Sequence, residues 1–191
     1  MTHKAIISDI INRLSQREPL QPLLPRTIWD EQLDQQIAAL GSMNPGSNLL
    51  AVQSGLHLWN DSLDRSHTIS QDLHNATGSY WHGMMHRMEG DFGNAKYWFR
   101  QAGSHPAMGK LQKLAGDWLE QHIQRVSGQQ SEGQEMLQRI ASHKEWDPYL
   151  FVDAVELQHE RNGGEALQNT LENIQAIEMD NLVRYCLNAV K

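Results

Sequence analysis

Residues 80–102 leave the chain little freedom. Tyr80 to Glu89 keeps a helical period, Gly90 stops it, and Asp91-Phe92-Gly93-Asn94 restarts it into Ala95 to Ala102. Gly103 and then Pro106 close the second helix, since glycine favours the position after a helix and proline cannot continue one. The stretch is therefore predicted to be a helical hairpin. The same period recurs along the chain, and nowhere does an alternating pattern of β-branched residues indicate a strand. The predicted fold is all-α, with antiparallel hairpins stacked in two layers in a single domain over residues 1–191. Its three stretches are N-terminal helices with a proline-rich connector (1–45), central histidine-rich hairpins (46–106) and C-terminal helices (107–191).

On either side of the hairpin the expected helices run over residues 4–16, 27–40, 49–59 and 63–73, then 107–126, 135–143, 146–161, 165–176 and 181–190. Pro19, Pro22 and Pro25 force an extended connector after the first, because each ring removes an amide donor and restricts the residue before it. The helix at 63–73 stands out. Its inward face carries Leu63, Ser66, His67, Ser70 and Leu73, with Asp64 and Gln71 at the edge. So polar a face must satisfy its donors with partners or line a cavity.

On a helical wheel at about 100° per residue, Trp81, Met84, Met85 and Met88 make one core stripe. His82, His86 and Glu89 make a second stripe beside it, at the edge of the buried surface, where pocket walls are built. Both histidines are expected to be buried, with at least one touching a carboxylate or histidine from residues 61–74. Gly83, Ala95, Phe99 and Ala102 have the spacing of a tetratricopeptide repeat, with Pro106 one residue early, and the hairpin resembles that repeat. The resemblance implies stacked helix pairs with a concave face, and it puts His82 and His86 where the repeat has a buried leucine and tyrosine. The longer string Tyr-Trp-His-Gly-x-x-His-Arg-x-Glu-Gly-Asp-Phe-x-Asn-Ala-Lys-Tyr-Trp-Phe-Arg resembles a family of uncharacterised bacterial and fungal proteins over about residues 49–107. That likeness implies no activity.

Composition narrows the partners. The formal charge is −7, from 16 basic and 23 acidic residues, and no basic strip forms, which argues against nucleic acid. Cys186 is the single cysteine, so no intramolecular disulfide forms, and its place among Val183, Leu187 and Val190 reads as core packing. No apolar run approaches the length of a membrane span, so no membrane partner is expected and the cytoplasm is the default location.

Three chemistries compete for residues 64–100. His82 and His86 lie one turn apart on a helix face, where two nitrogens can share a cation. Asp64 and His67 on the preceding helix supply a second pair, with Glu89 and Asp91 as further oxygen donors. The metal candidates are thus Asp64, His67, His82 and His86, a set suited to a divalent transition metal such as zinc, iron or manganese. Anion binding is the rival: Lys96 and Arg100, with Arg87 and a histidine, could clamp a carboxylate or phosphate. The candidate ligand-binding residues are then His67, His82, His86, Arg87, Lys96 and Arg100. Nucleophilic catalysis has little support, since Ser66, Ser70 and Ser79 lack a strand–turn–helix elbow and no phosphate-binding glycine loop occurs. The expected function is a polar, histidine-lined pocket for a small ligand or metal ion. The alternative is a non-catalytic scaffold that takes a peptide or protein segment, with the histidines as internal struts.

Overall fold

A computed structural model describes residues 3–41, 46–122, 132–161 and 163–190, and the described residues are helical with no strand. Helix α1 (His3–Ser15) buries Ile7, Ile10, Ile11 and Leu14 along one face. The connector that follows is tied to a distant turn. Arg17 pairs with Asp61 at 2.8 Å and donates to the carbonyl of Trp59, while Gln21 Nε2 donates to Leu58 and Asp61. Helix α2 (Glu31–Ala39) begins four residues later than the sequence predicts, because Asp30 is extended and its side chain accepts from the Leu33 amide.

Helix α3 (Ser47–Trp59) is buried on every side from Ala51 to Trp59. Gly55 makes this possible, since a Cβ there would stand 2.4 Å from the Trp81 ring. Asp61, at φ 62°, turns the chain into α4 (Leu63–Gln71). The polar face of α4 satisfies itself against α3, where the Ser54 and Ser66 hydroxyls meet at 3.1 Å. Asn75 caps α5 (Ala76–Glu89) by accepting from the Gly78 amide, so this helix starts a turn before the predicted Tyr80.

Gly90 ends α5 at φ 93°, a left-handed conformation that costs glycine nothing, and Asp91 caps α6 (Phe92–Ala102). The hairpin closes where Gly83 lies under the Phe99 ring. Beyond it come α7 (Ala107–His122), α8 (Glu132–Ser142), α9 (Pro148–Arg161) and α10 (Glu165–Asn188). The predicted end of α7 (123–126) and most of the polar break predicted at 128–133 lie outside the described residues, but Glu132 and Gly133 already belong to α8, which starts three residues before the predicted Glu135.

The C-terminal pair of helices predicted at 165–176 and 181–190 is one helix, α10. No glycine or proline interrupts residues 165–188, and Ile174, Glu178, Met179, Leu182, Val183 and Cys186 carry a single buried stripe through the expected break. Helix α10 packs against α1, α3, α7 and α9, so one buried core runs from Ile7 to Cys186. None of the described helices is long and apolar enough to cross a membrane.

Candidate metal centre

Three imidazoles converge where α4 crosses α5. The His67 ring stands edge-on to His82 at 4.7 Å and to His86 at 5.6 Å between centroids. His82 and His86 are stacked on each other at 4.8 Å, as one turn of helix dictates. One nitrogen from each lies within 4.8 Å of the other two. His82 and His86 are 3% and 7% exposed, while His67 is half-buried.

Helix α6 backs this cluster. Trp98 lies flat against His82, with ring centroids 3.9 Å apart and planes 9° from parallel. One turn away Asn94 Nδ2 stands 3.1 Å from His86 Nε2. The pair Asn94/Trp98 has the same four-residue spacing as His82/His86, which antiparallel packing of α5 and α6 brings into register. That spacing is readable in the sequence, but nothing local marks Asn94 or Trp98 as a partner of the histidines.

Burial keeps the His82 and His86 rings neutral. Glu89 Oε2 lies 3.1 Å from His86 Nδ1. A carboxylate only accepts, so Nδ1 carries the proton and Nε2 offers its lone pair, to which the Asn94 amide donates. Burial holds the His86 pKa below the usual value, against the raising effect of Glu89. For His82, burial first and then His86 and His67 push the pKa down to about 4. His82 Nδ1 is buried and meets no hydrogen-bonding partner among the described residues. Such an orphan costs about 1–3 kcal/mol unless a water or an ion takes it.

These residues fit a metal ion in kind. Neutral imidazoles bind divalent cations without first losing a proton, and Glu89, by accepting from His86 Nδ1–H, fixes the ring so that Nε2 is the nitrogen offered to an ion. Tetrahedral coordination with bonds of about 2.0–2.1 Å needs nitrogens about 3.3 Å apart, so the three rings would close by somewhat over 1 Å on binding.

The other predicted residues are placed differently. Asp64 is exposed and stands outside the three-histidine cluster. It lines a cavity of about 430 Å³ together with Asp61, Arg26, Arg65 and Glu89. Glu89 thus belongs both to this cavity and to the environment of His86. The anion clamp is not assembled. Arg87 follows His86 by one residue, about 100° round the helix, and points inward, fully buried, with its guanidinium 2.6 Å from Glu178 and 4.5 Å above the Phe151 ring. Lys96 pairs with Asp153 at 2.8 Å and Glu156 at 3.1 Å on α9, and Arg100 is exposed. Asp91 is committed to capping α6. Comparison with family models, with curated proteins and with solved structures finds no match for this chain.

Proposed function

We propose that this protein binds one divalent transition metal through His67, His82 and His86, with Glu89 orienting His86. The observation that carries the reading is the meeting of three imidazoles whose nitrogens lie within 4.8 Å of one another, together with a buried His82 Nδ1 that has no partner among the described residues. A set of three imidazole nitrogens suits zinc or iron better than the harder manganese or magnesium ions. Three protein ligands leave a coordination position for water or a small molecule. The cavity that shares Glu89 with the site offers such a molecule a polar surface, lined by the carboxylates of Asp61 and Asp64 and the guanidiniums of Arg26 and Arg65.

Binding of the metal would replace the Asn94–His86 hydrogen bond with a coordinate bond, while Glu89 keeps the ring in its tautomer. Elemental analysis of protein purified without a histidine tag tests the reading. Close to one equivalent of zinc or iron per chain is expected. Metal-free protein that takes up none on dialysis against zinc or iron would favour the scaffold reading, with the histidines as struts.

A further inference from the structure

Another histidine, His57, lies away from the metal centre, in an arrangement suited to chemistry of another kind. Asp34 on α2 is fully buried, and its Oδ1 lies 2.6 Å from Nδ1 of His57 on α3, itself 1% exposed. The other carboxylate oxygen faces the Arg65 guanidinium of α4, with Nε 3.2 Å away. Asp34 therefore has a cation beside it and accepts a hydrogen bond from the ring, so Nδ1–H of His57 is committed to it. Burial outweighs the carboxylate and, with the Arg65 charge, keeps the His57 pKa below its usual value. The ring is neutral at neutral pH, and its other nitrogen, Nε2, is an acceptor for which the described residues show no hydrogen-bond partner.

His57 also forms part of the wall of a groove of about 370 Å³ between α2, α3 and α4, none of whose lining residues belongs to the metal centre. Ala38, Gly41 and Ile69 give the groove uncharged walls, and its one cation, Arg65, is tied to Asp34. Gln53 is fixed beside His57 by donating to the carbonyls of Ile37 and Ala38, which holds the end of α2 in place. A buried strut joining α2 to α3 would need only the Asp34 contact. Here the same ring also borders a groove large enough for a small molecule.

We propose that this groove is a second binding site, in which a small, largely apolar molecule donates one hydroxyl to Nε2 of His57 while Asp34 holds the ring. The chemistry is that of a carboxylate-oriented imidazole acceptor: the apolar body of the ligand meets Ala38 and Ile69, and its single donor meets the imidazole that Asp34 holds in place. A ligand of the same shape without the hydroxyl leaves Nε2 facing an apolar surface, and is disfavoured for that reason.

Phenol, with benzene as the control, tests this in the full-length protein carrying ¹⁵N-labelled histidine. His57 is recognised by its Nδ1–H bonded to Asp34. Phenol is expected to move the His57 Nε2 resonance saturably, and benzene to bind about fivefold more weakly, the worth of one hydrogen bond. Because removing His57 would strand Asp34 in the core, the blocking variant is Ala38→Phe, which fills the groove and leaves the pair intact. It should abolish the phenol response while the Nδ1–H signal persists. An Nε2 resonance that ignores phenol, equal binding of benzene, or an unchanged response in Ala38→Phe would each overturn the proposal. None of these readouts depends on metal at His67, His82 and His86.

Discussion

The imidazole of His82 lies flat on the indole of Trp98, centroids 3.9 Å apart and planes within 9° of parallel. The indole covers a face of the ring, and His86 is stacked on it at 4.8 Å. Water is thereby kept from a ring that would otherwise protonate. Trp98→Ala should let water reach His82 and raise its pKa from about 4 by one unit or more, about 1.4 kcal/mol of released desolvation. Trp98→Phe, which keeps an aromatic face, should shift it far less. Histidine proton resonances followed against pH in metal-free protein measure both, and a His82 that titrates identically in all three proteins would refute the role of the stack.

Acid should destabilise the metal-free protein in a defined window. Above pH 6.5 His82 is neutral whether folded or unfolded. Between 6.5 and about 4 the unfolded chain takes a proton that the folded site refuses, so stability falls as pH falls through that range. His57, His86 and His105 are lowered by burial as well and act in the same direction. For His82 alone the loss is about 2–4 kcal/mol. Urea unfolding at pH 7 and pH 4.5 should show a smaller drop in His82→Phe than in the parent chain.

Glu89 is 56% exposed at its side chain, so its contact with His86 contributes little to folding. Its effect on metal is a different matter, because it fixes the tautomer that presents Nε2. Glu89→Gln should leave stability nearly unchanged yet weaken zinc binding by about 10–100-fold. Competition with a chromophoric chelator reads the affinity, and thermal melting confirms the fold.

Much of this was legible in the sequence, for identifiable reasons. Helix class and the central hairpin follow from period and punctuation, since Gly90, Gly103 and the Asp91 cap are local signals. The burial of His82 and His86 and the approach of His67 follow from the wheel and from the short link between α4 and α5. The Arg87–Glu178 pair spans 91 residues, and no local pattern announces a partner that far away. Asp34–His57 carried a weaker signal. Residues 49–59 are apolar on nearly every face, so a histidine among them had to be buried and had to find a partner. The continuity of α10 is not legible locally, because the polar residues Glu178, Asp180 and Asn181 have the composition of a loop, yet Glu178 is the internal counter-ion of Arg87 and Asn181 donates to the Ala107 carbonyl.

That counter-ion pair makes its own prediction. Arg87 and Glu178 are both fully buried, and Tyr80 donates to the same carboxylate at 2.9 Å. Arg87→Met strands Glu178 without its cation and should cost about 3–5 kcal/mol. Arg87→Met with Glu178→Gln removes both charges and should recover a substantial part of that loss. Chemical denaturation of the two variants decides it, and equal destabilisation would show that the charge pairing is not what the site depends on.

The most direct test of the metal centre is calorimetric titration of zinc into metal-stripped, tag-free protein, in parallel with His82→Phe. Phenylalanine keeps the stack on Trp98 and removes only the nitrogens. The parent chain should bind one equivalent saturably, and His82→Phe should lose that binding while staying at least as stable, because the orphaned Nδ1 is gone. Zinc that fails to bind the parent stoichiometrically, or that binds His82→Phe as tightly, would contradict a site built on His67, His82 and His86.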